Sequence, residues 1–119
     1  MANAEMKSLN SPDETRNFTN GKAEIVNVGG GAVGKFTFEP GWKWSEHVKP
    51  IVGTDLCQQQ HFGYQVAGTL HVVLADGTEF DMKPGDVGVI PAGHDSWVVG
   101  NEAVVTIDWS GAATYAKPS

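Results

Sequence analysis

Three histidines and the only cysteine of this 119-residue chain could bind a metal: His47, Cys57, His61 and His94. Imidazole and thiolate are ligands for zinc, iron, nickel or copper rather than for magnesium or calcium. The four residues lie at the ends of apolar runs or in the connections beside them, and side chains from separate strands can converge on one ion. We therefore predict a divalent transition metal bound by two, three or four of them. Three ligands would leave a position open, whereas four would indicate a structural metal.

Each of the four residues also has a structural interpretation. His61 could be a hydrogen-bonded core histidine, and Cys57 could be a small buried hydrophobic residue. His94 could cap a turn, and His47 could belong to a solvated strand end. The fourth histidine, His71, lies inside the run TLHVVL and is interpreted as a sheet-surface or barrel-wall residue rather than a ligand.

The residues around such a site follow from strand parity. Side chains two positions apart on a strand share a face, so Gln65 lies on the face of His61 and Tyr64 on the opposite face. Gln65 can donate and accept hydrogen bonds to a ligand or to a metal-bound water. Trp42 and Trp44 share a face and are expected between the sheets or at a subunit contact. The predicted ligand-binding residues are Gln65, Tyr64 and Trp44.

The elements that must position these residues are short strands. Fifteen glycines and six prolines separate short apolar runs, which is typical of a turn-rich β protein. No run keeps helical spacing for long enough to predict a helix. Strands are predicted at 23–28, 35–39, 42–47, 61–67, 69–75, 78–83, 86–90, 96–99 and 103–109. So many strands must form a sandwich or a closed barrel.

The chain is predicted to form one domain, because its length suffices to bury a hydrophobic core without disulfides. Residues 1–20 are polar and predict a loosely held N-terminal arm. Residues 21–110 are predicted to form the β domain, a sandwich or a β-barrel, and residues 111–119 a C-terminal tail. Trp97 and Trp109 are interpreted as core residues.

The charge balance excludes one class of partner. Fourteen acidic and eight scattered basic residues give a net charge of -6, so no basic surface for nucleic acid is expected. There is no apolar run of about 18 residues and no basic-then-apolar N-terminus, which argues against membrane and secretory segments. We expect a cytoplasmic protein.

Two sequence motifs resemble those of the cupin superfamily, usually written G(x)5HxH(x)3-4E(x)6G and G(x)5PxG(x)2H(x)3N. Gly41 and His47 match the start of the first motif and Gly68 its end. The second motif is matched by a glycine, a proline and a further glycine: Gly85, Pro91 and Gly93. The resemblance covers residues 23–109. It implies an all-β, cupin-type double-stranded β-helix, or jelly-roll barrel, of about nine short strands.

The metal positions of the family pattern are largely changed. Lys49 replaces the second histidine of the first motif, and His61 replaces its glutamate after a longer connection. The histidine of the second motif would fall at Ser96, and the nearby histidine is His94. Only His47 retains the family residue at a family ligand position.

The resemblance implies a small cupin whose barrel pocket binds a metal and a small organic molecule. One hypothesis is a metal-dependent enzyme such as a dioxygenase or isomerase, with Gln65, Glu46 or Tyr64 as proton or hydrogen-bond partners. The alternatives are a non-catalytic binding or sensing module, with or without metal, and a metal-free interaction domain. Cupins commonly pair through an edge strand or an N-terminal segment, so a homodimer is expected.

Overall fold

A computed structural model describes residues 4–110, so the predicted tail at 111–119 lies outside the described residues. The described part contains nine strands and two one-turn helices, and the all-β prediction is confirmed. In chain order the elements are β1 (Glu14–Phe18), β2 (Gly21–Val28), β3 (Gly31–Phe38), α1 (Trp44–His47), α2 (Lys49–Val52), β4 (His61–Ala67), β5 (Thr69–Leu74), β6 (Glu79–Met82), β7 (Val87–Ile90), β8 (His94–Val99) and β9 (Val104–Asp108).

The strands form two antiparallel sheets. One has six strands in the order β1-β2-β3-β9-β4-β7, and the other has three in the order β6-β5-β8. Each sheet contributes its inward side chains to one core, which includes Phe36 and Phe38 from the larger sheet and Leu70 and Val72 from the smaller one. Within residues 4–110, neither helix is long and apolar enough to cross a membrane.

The period of two along the strands decides which side chains face the core. In β4, Gly63 and Gln65 are buried, whereas Phe62, Tyr64 and Val66 are exposed. The parity predicted for this strand is therefore confirmed. In β8 the buried positions are the first, third and fifth, beginning with His94.

The prediction of a strand at 42–47 is wrong, because the chain forms α1 there and α2 directly after it. Trp44 and Val48 are both buried, and the Val48 N–H donates to the Trp44 carbonyl at 2.9 Å. Residues four apart share one face of a helix, so this pair was the overlooked helical signal. Pro50 occupies the first turn of α2, and Gly53 ends it with a φ of 81°.

The predicted N-terminal arm contains a strand, β1, that pairs with β2 along its whole length. The ring of Phe18 lies 6.1 Å from that of Phe38 and 6.4 Å from that of Trp42, which ties this segment to the core. The core interpretation is wrong for Trp109, which is 47% exposed. Trp97 is half-buried in β8.

Candidate metal centre

Cys57, His61 and His94 meet in the interior and form a group with the spacing of metal ligands. Their ligand atoms all lie within 4.8 Å of one another, and all three residues are buried. Two ligand atoms on one tetrahedral zinc ion are about 3.3–3.6 Å apart, given zinc–nitrogen and zinc–sulfur bonds of about 2.0–2.3 Å. The Cys57 Sγ atom is 3.8 Å from Nε2 of His61. The group therefore needs only a small contraction to fit one ion.

Backbone pairing brings the cysteine to the second histidine. The Cys57 N–H donates to the His94 carbonyl at 2.8 Å, and the Gly93 N–H donates to the Cys57 carbonyl at 2.7 Å. This isolated bridge attaches the connection before β4 to the start of β8. His61 is the first residue of β4 and comes from the facing sheet. The long connection that departs from the family pattern thus carries a potential ligand into the barrel.

Both imidazoles are held by their Nδ1 atoms. His61 Nδ1 is hydrogen-bonded to Oδ2 of Asp108, and His94 Nδ1 donates to the Pro91 carbonyl at 2.8 Å. A carbonyl and a carboxylate are acceptors, so in the neutral rings the proton is on Nδ1 and the lone pair is on Nε2. Such bonds orient histidine ligands in metal sites and make them better ligands.

The cysteine and its histidine neighbour also have perturbed pKa values in the metal-free protein. Burial raises the pKa of the Cys57 thiol, but hydrogen bonds from His61 and His94 outweigh it and lower the pKa to about 6. Burial lowers the pKa of His61, but its bonds to Asp108 and Cys57 together raise that pKa to about 9. The thiolate, which is the form that binds metal, is therefore stabilised near neutral pH.

Asp108 is a residue of the candidate site that the sequence prediction missed. It is 2% exposed, and its second oxygen, Oδ1, accepts the Ser110 N–H at 2.7 Å. In β9 it shares the inward parity of the fully buried Val104. Burying an unpaired carboxylate costs free energy, so a carboxylate at an inward position of an apolar strand is expected to have a partner. The inward position of Asp108 was therefore the signal in the sequence that could have identified it.

A small cavity of about 40 Å³ adjoins the cluster, with room for only a few water molecules. His61, His94, Ser96, Thr106 and Asp108 form its polar part. The apolar lining consists of Trp42, from the connection before α1, and of side chains from both sheets: Phe36, Phe38, Leu70, Met82 and Ile90.

The lining residue Trp42 carries an unusual polar atom. Its side chain is 1% exposed and stacks on Phe38, with ring centroids 3.9 Å apart. The buried indole N–H has no hydrogen-bond partner among the described residues. Buried polar groups normally have partners, so this donor is consistent with an acceptor supplied by a bound molecule.

His47, the fourth predicted metal residue, lies outside the three-residue group. It is at the end of α1, where its Nδ1 atom accepts the Lys43 N–H at 3.0 Å. The helical turn that replaces the predicted strand accounts for this position. His71 lies on the sheet surface, as interpreted. Its Nδ1 atom is 2.6 Å from an Asp81 carboxylate oxygen, and its Nε2 atom is 2.8 Å from a Glu79 carboxylate oxygen.

The three predicted ligand-binding residues do not line this cavity. Gln65 is fully buried, and its Nε2 atom donates to the Gly68 carbonyl at 3.0 Å. Tyr64 is 39% exposed on the outer face of β4, whereas Trp44 is 1% exposed in the core. Glu46, a candidate proton partner, is exposed on α1.

Comparisons with known proteins identify the fold. No protein-family model and no curated protein sequence matches the chain. A formate complex of oxalate decarboxylase from Lactobacillus farciminis is similar, with a TM-score of 0.61, 22% identity, and coverage of 86% of this chain and 32% of that one. The chain thus spans about a third of that enzyme.

Two shorter proteins are similar over most of their length. The polyketide cyclase RemF from Streptomyces resistomycificus has a TM-score of 0.62 and 14% identity, with 92% of this chain and 80% of that chain covered. KdgF from Halomonas sp. has a TM-score of 0.57 and 20% identity, with 82% and 87% covered. These are cupin-fold proteins, and the chain is a cupin-fold domain, as its glycine and proline motifs predicted.

Proposed function

We propose that this protein binds one divalent transition metal through Cys57, His61 and His94 and holds a small organic ligand beside it. The observation that carries the proposal is the convergence of three buried donors whose two imidazoles are already oriented through Nδ1. Of the predicted metals, zinc and copper suit a set of one thiolate and two imidazoles best. When bound, the metal would supply Lewis acidity.

The chain's own residues have separate roles in this proposal. Asp108 and the Pro91 carbonyl hold the two imidazoles with Nε2 available for the metal. The apolar cavity walls exclude bulk water and limit the ligand to a few heavy atoms. The unpartnered indole N–H of Trp42 would donate to an acceptor on that ligand. A small carboxylate fits these features, because it combines small size with hydrogen-bond acceptors.

Whether the bound ligand reacts separates an enzyme from a sensor. Three protein ligands leave a coordination position for a substrate or water, which favours a metal-dependent enzyme such as a dioxygenase or isomerase. The non-catalytic binding module is favoured by the scarcity of free acid-base groups. Apart from His61, His94 and Asp108, the polar side chains that line the cavity are the hydroxyls of Ser96 and Thr106. Turnover of small carboxylates by metal-loaded protein would decide for the enzyme.

The metal proposal is tested by the metal content of protein purified without an affinity tag or chelator. We expect close to one equivalent of a transition metal per chain. Cobalt-substituted protein should show a thiolate-to-cobalt charge-transfer band, which the Cys57→Ser variant should lack. The matched controls His47→Ala and His71→Ala remove imidazoles outside the cluster and should retain the metal. Wild-type protein that stays metal-free after dialysis against zinc would overturn the proposal.

Metal-free protein has a second candidate function, as a thiol nucleophile. The Cys57 thiol contacts His61, and His61 is held by Asp108, which is the order of a nucleophile, a base and an orienting carboxylate. Attack by the thiolate on an activated ester would form a thioester while protonated His61 gives its proton to the leaving alcohol. Water, deprotonated by His61, would then hydrolyse the thioester, which releases the carboxylic acid and restores the thiolate. Ester turnover that zinc abolishes would support this function, and alkylation of Cys57 without turnover would exclude it.

A further inference from the structure

The connection between α2 and β4, residues 53–60, forms a thin strap over the metal cluster. Within this range, which the structure describes in full, Cys57 is the one buried residue, and it is 3% exposed. The next residue, Gln58, is exposed, and so are both ends of the strap, Gly53 and Gln60. Solvent therefore lies on the outer side of the strap, whereas the two histidines of the cluster lie on its inner side, beside the thiol.

Backbone hydrogen bonds fasten the middle of the strap to the barrel. The Cys57 N–H donates to the His94 carbonyl at 2.8 Å, and the Cys57 carbonyl accepts the Gly93 N–H at 2.7 Å. At the end of the strap the Gln60 carbonyl accepts the Ser110 hydroxyl at 3.1 Å. Local opening costs least where few side chains are buried and the backbone is exposed. The strap has both properties.

The two ends of the strap differ in how firmly they are held. Gly53 follows α2 with a φ of 81°, in the left-handed region that favours glycine. His61 begins β4, and its Nδ1 atom is hydrogen-bonded to Asp108. Hinges are residues at the ends of elements that absorb a change in φ and ψ. The strap can therefore swing about Gly53 while His61 stays in the sheet.

A metal bound by the cluster would join the strap to both sheets. Cys57 belongs to the strap, His61 to β4 of the six-stranded sheet, and His94 to β8 of the three-stranded sheet. In metal-free protein the strap opens by breaking hydrogen bonds, whereas in loaded protein it must also withdraw the thiolate from the metal. The metal therefore binds the closed form better than the open form, and a ligand of that kind shifts the equilibrium toward the closed form.

We propose that the strap is a gate that opens in metal-free protein to admit the ion and is closed by the bond from Cys57 to the metal. This inference rests on the proposed function, because without the metal nothing would change the position of the gate. Opening withdraws the thiol from Nε2 of His61, which it contacts at 3.8 Å. That nitrogen carries the lone pair of the neutral ring, so the open form presents a histidine donor to an incoming ion.

Linkage gives the size of the effect. A ligand that binds one form only lowers the population of the other by a factor of one plus the ratio of free ligand to its dissociation constant. With free zinc at about 100 times its dissociation constant, opening should fall about a hundredfold if the open form binds no zinc. Zinc held by the two histidines alone would reduce this factor. We therefore expect opening to fall by about tenfold or more.

The test is amide hydrogen exchange of the full chain with and without zinc, read on peptides that cover residues 53–60. The Cys57 N–H loses its acceptor when the strap opens, so zinc should slow its exchange about tenfold or more. The control within the same molecule is β1, at the far edge of the larger sheet, whose exchange should not change. In the Cys57→Ser variant, zinc should no longer slow exchange in the strap. The wild-type comparison needs no variant, so it decides the outcome even where Cys57→Ser does not fold.

Zinc content is measured on the same samples, which separates failure of the gate from failure of the metal site. Bound zinc with unchanged exchange in the strap would overturn the gate and leave the metal site standing. Equal slowing in the strap and in β1 would also overturn the gate, because zinc would then stabilise the whole fold. Protein that binds no zinc would overturn the metal site and the gate together.

Discussion

The substitution Asp108→Asn tests whether a buried carboxylate makes His61 a metal ligand. Asp108 accepts two hydrogen bonds, one from Nδ1 of His61 and one from the Ser110 N–H. An asparagine has one acceptor oxygen, so it can serve only one of these donors. If its amide NH2 faces His61, it donates to Nδ1 and moves the ring proton to Nε2, where the metal would bind.

The expected magnitude follows from this loss of an acceptor. Leaving a buried donor unsatisfied costs about 1–3 kcal/mol. Loss of a residue that orients a metal ligand weakens metal affinity by about 10–100-fold, which is about 1.4–2.7 kcal/mol. The first cost lowers the stability of the fold, and the second lowers the affinity for the metal. We expect the zinc dissociation constant, measured by competition with a chromophoric chelator, to rise by about that factor while thermal unfolding remains cooperative.

Asp81→Asn is the matched control for this experiment. It also removes a carboxylate bonded to a histidine, since Asp81 lies 2.6 Å from Nδ1 of His71, but on the sheet surface. Its zinc affinity should equal that of the wild type. A folded Asp108→Asn protein with unchanged zinc affinity would refute the reasoning, because His61 would then not need the carboxylate or would not bind the metal.

Two further predictions concern ionisation and packing. In metal-free protein the pKa of Cys57 is lowered from 9.0 to about 6, so the thiolate persists at neutral pH and is lost as the pH falls through about 6. The ultraviolet absorbance of the thiolate, followed against pH with Cys57→Ser as the blank, measures this pKa. A midpoint above pH 8 would contradict the prediction. Gly63→Ala should lower the free energy of unfolding by about 1–3 kcal/mol, because the added Cβ would lie 2.5 Å from the Ile107 carbonyl oxygen. Denaturant titration would show it. Gly88→Ala should change stability far less, because its Cβ would meet only the flexible side chain of Met82, at 3.5 Å and beyond.

The sequence was most informative where structure depends on near neighbours. The inward and outward faces of β4 followed correctly from alternation alone. The same parity relates His94 to Ser96, where the family pattern has its histidine. Because the two residues are two positions apart in β8, both are buried on the same side. The displaced histidine therefore still faces the barrel interior.

The same local reasoning failed at residues 42–48, where apolar residues fit both the two-residue period of a strand and the spacing of a helix. The tryptophans at 42 and 44 alternate like a strand, yet Trp44 and Val48 are spaced like a helix, and burial of that pair prevailed. His47 was consequently placed on a helical turn and outside the cluster. Trp109 was expected in the core, but it follows the last residue of β9 and lies on the outer face.

By itself, the sequence determined the turn-rich barrel and supplied the candidate donors, because turns and alternation are set within a few residues. Only the tertiary structure decided which donors meet. His61 and Asp108 are 47 residues apart and touch because β4 pairs with β9. Cys57 reaches His94 because a backbone bridge joins its connection to β8. Such convergence depends on strand pairing between distant segments, which leaves no fixed spacing in the chain.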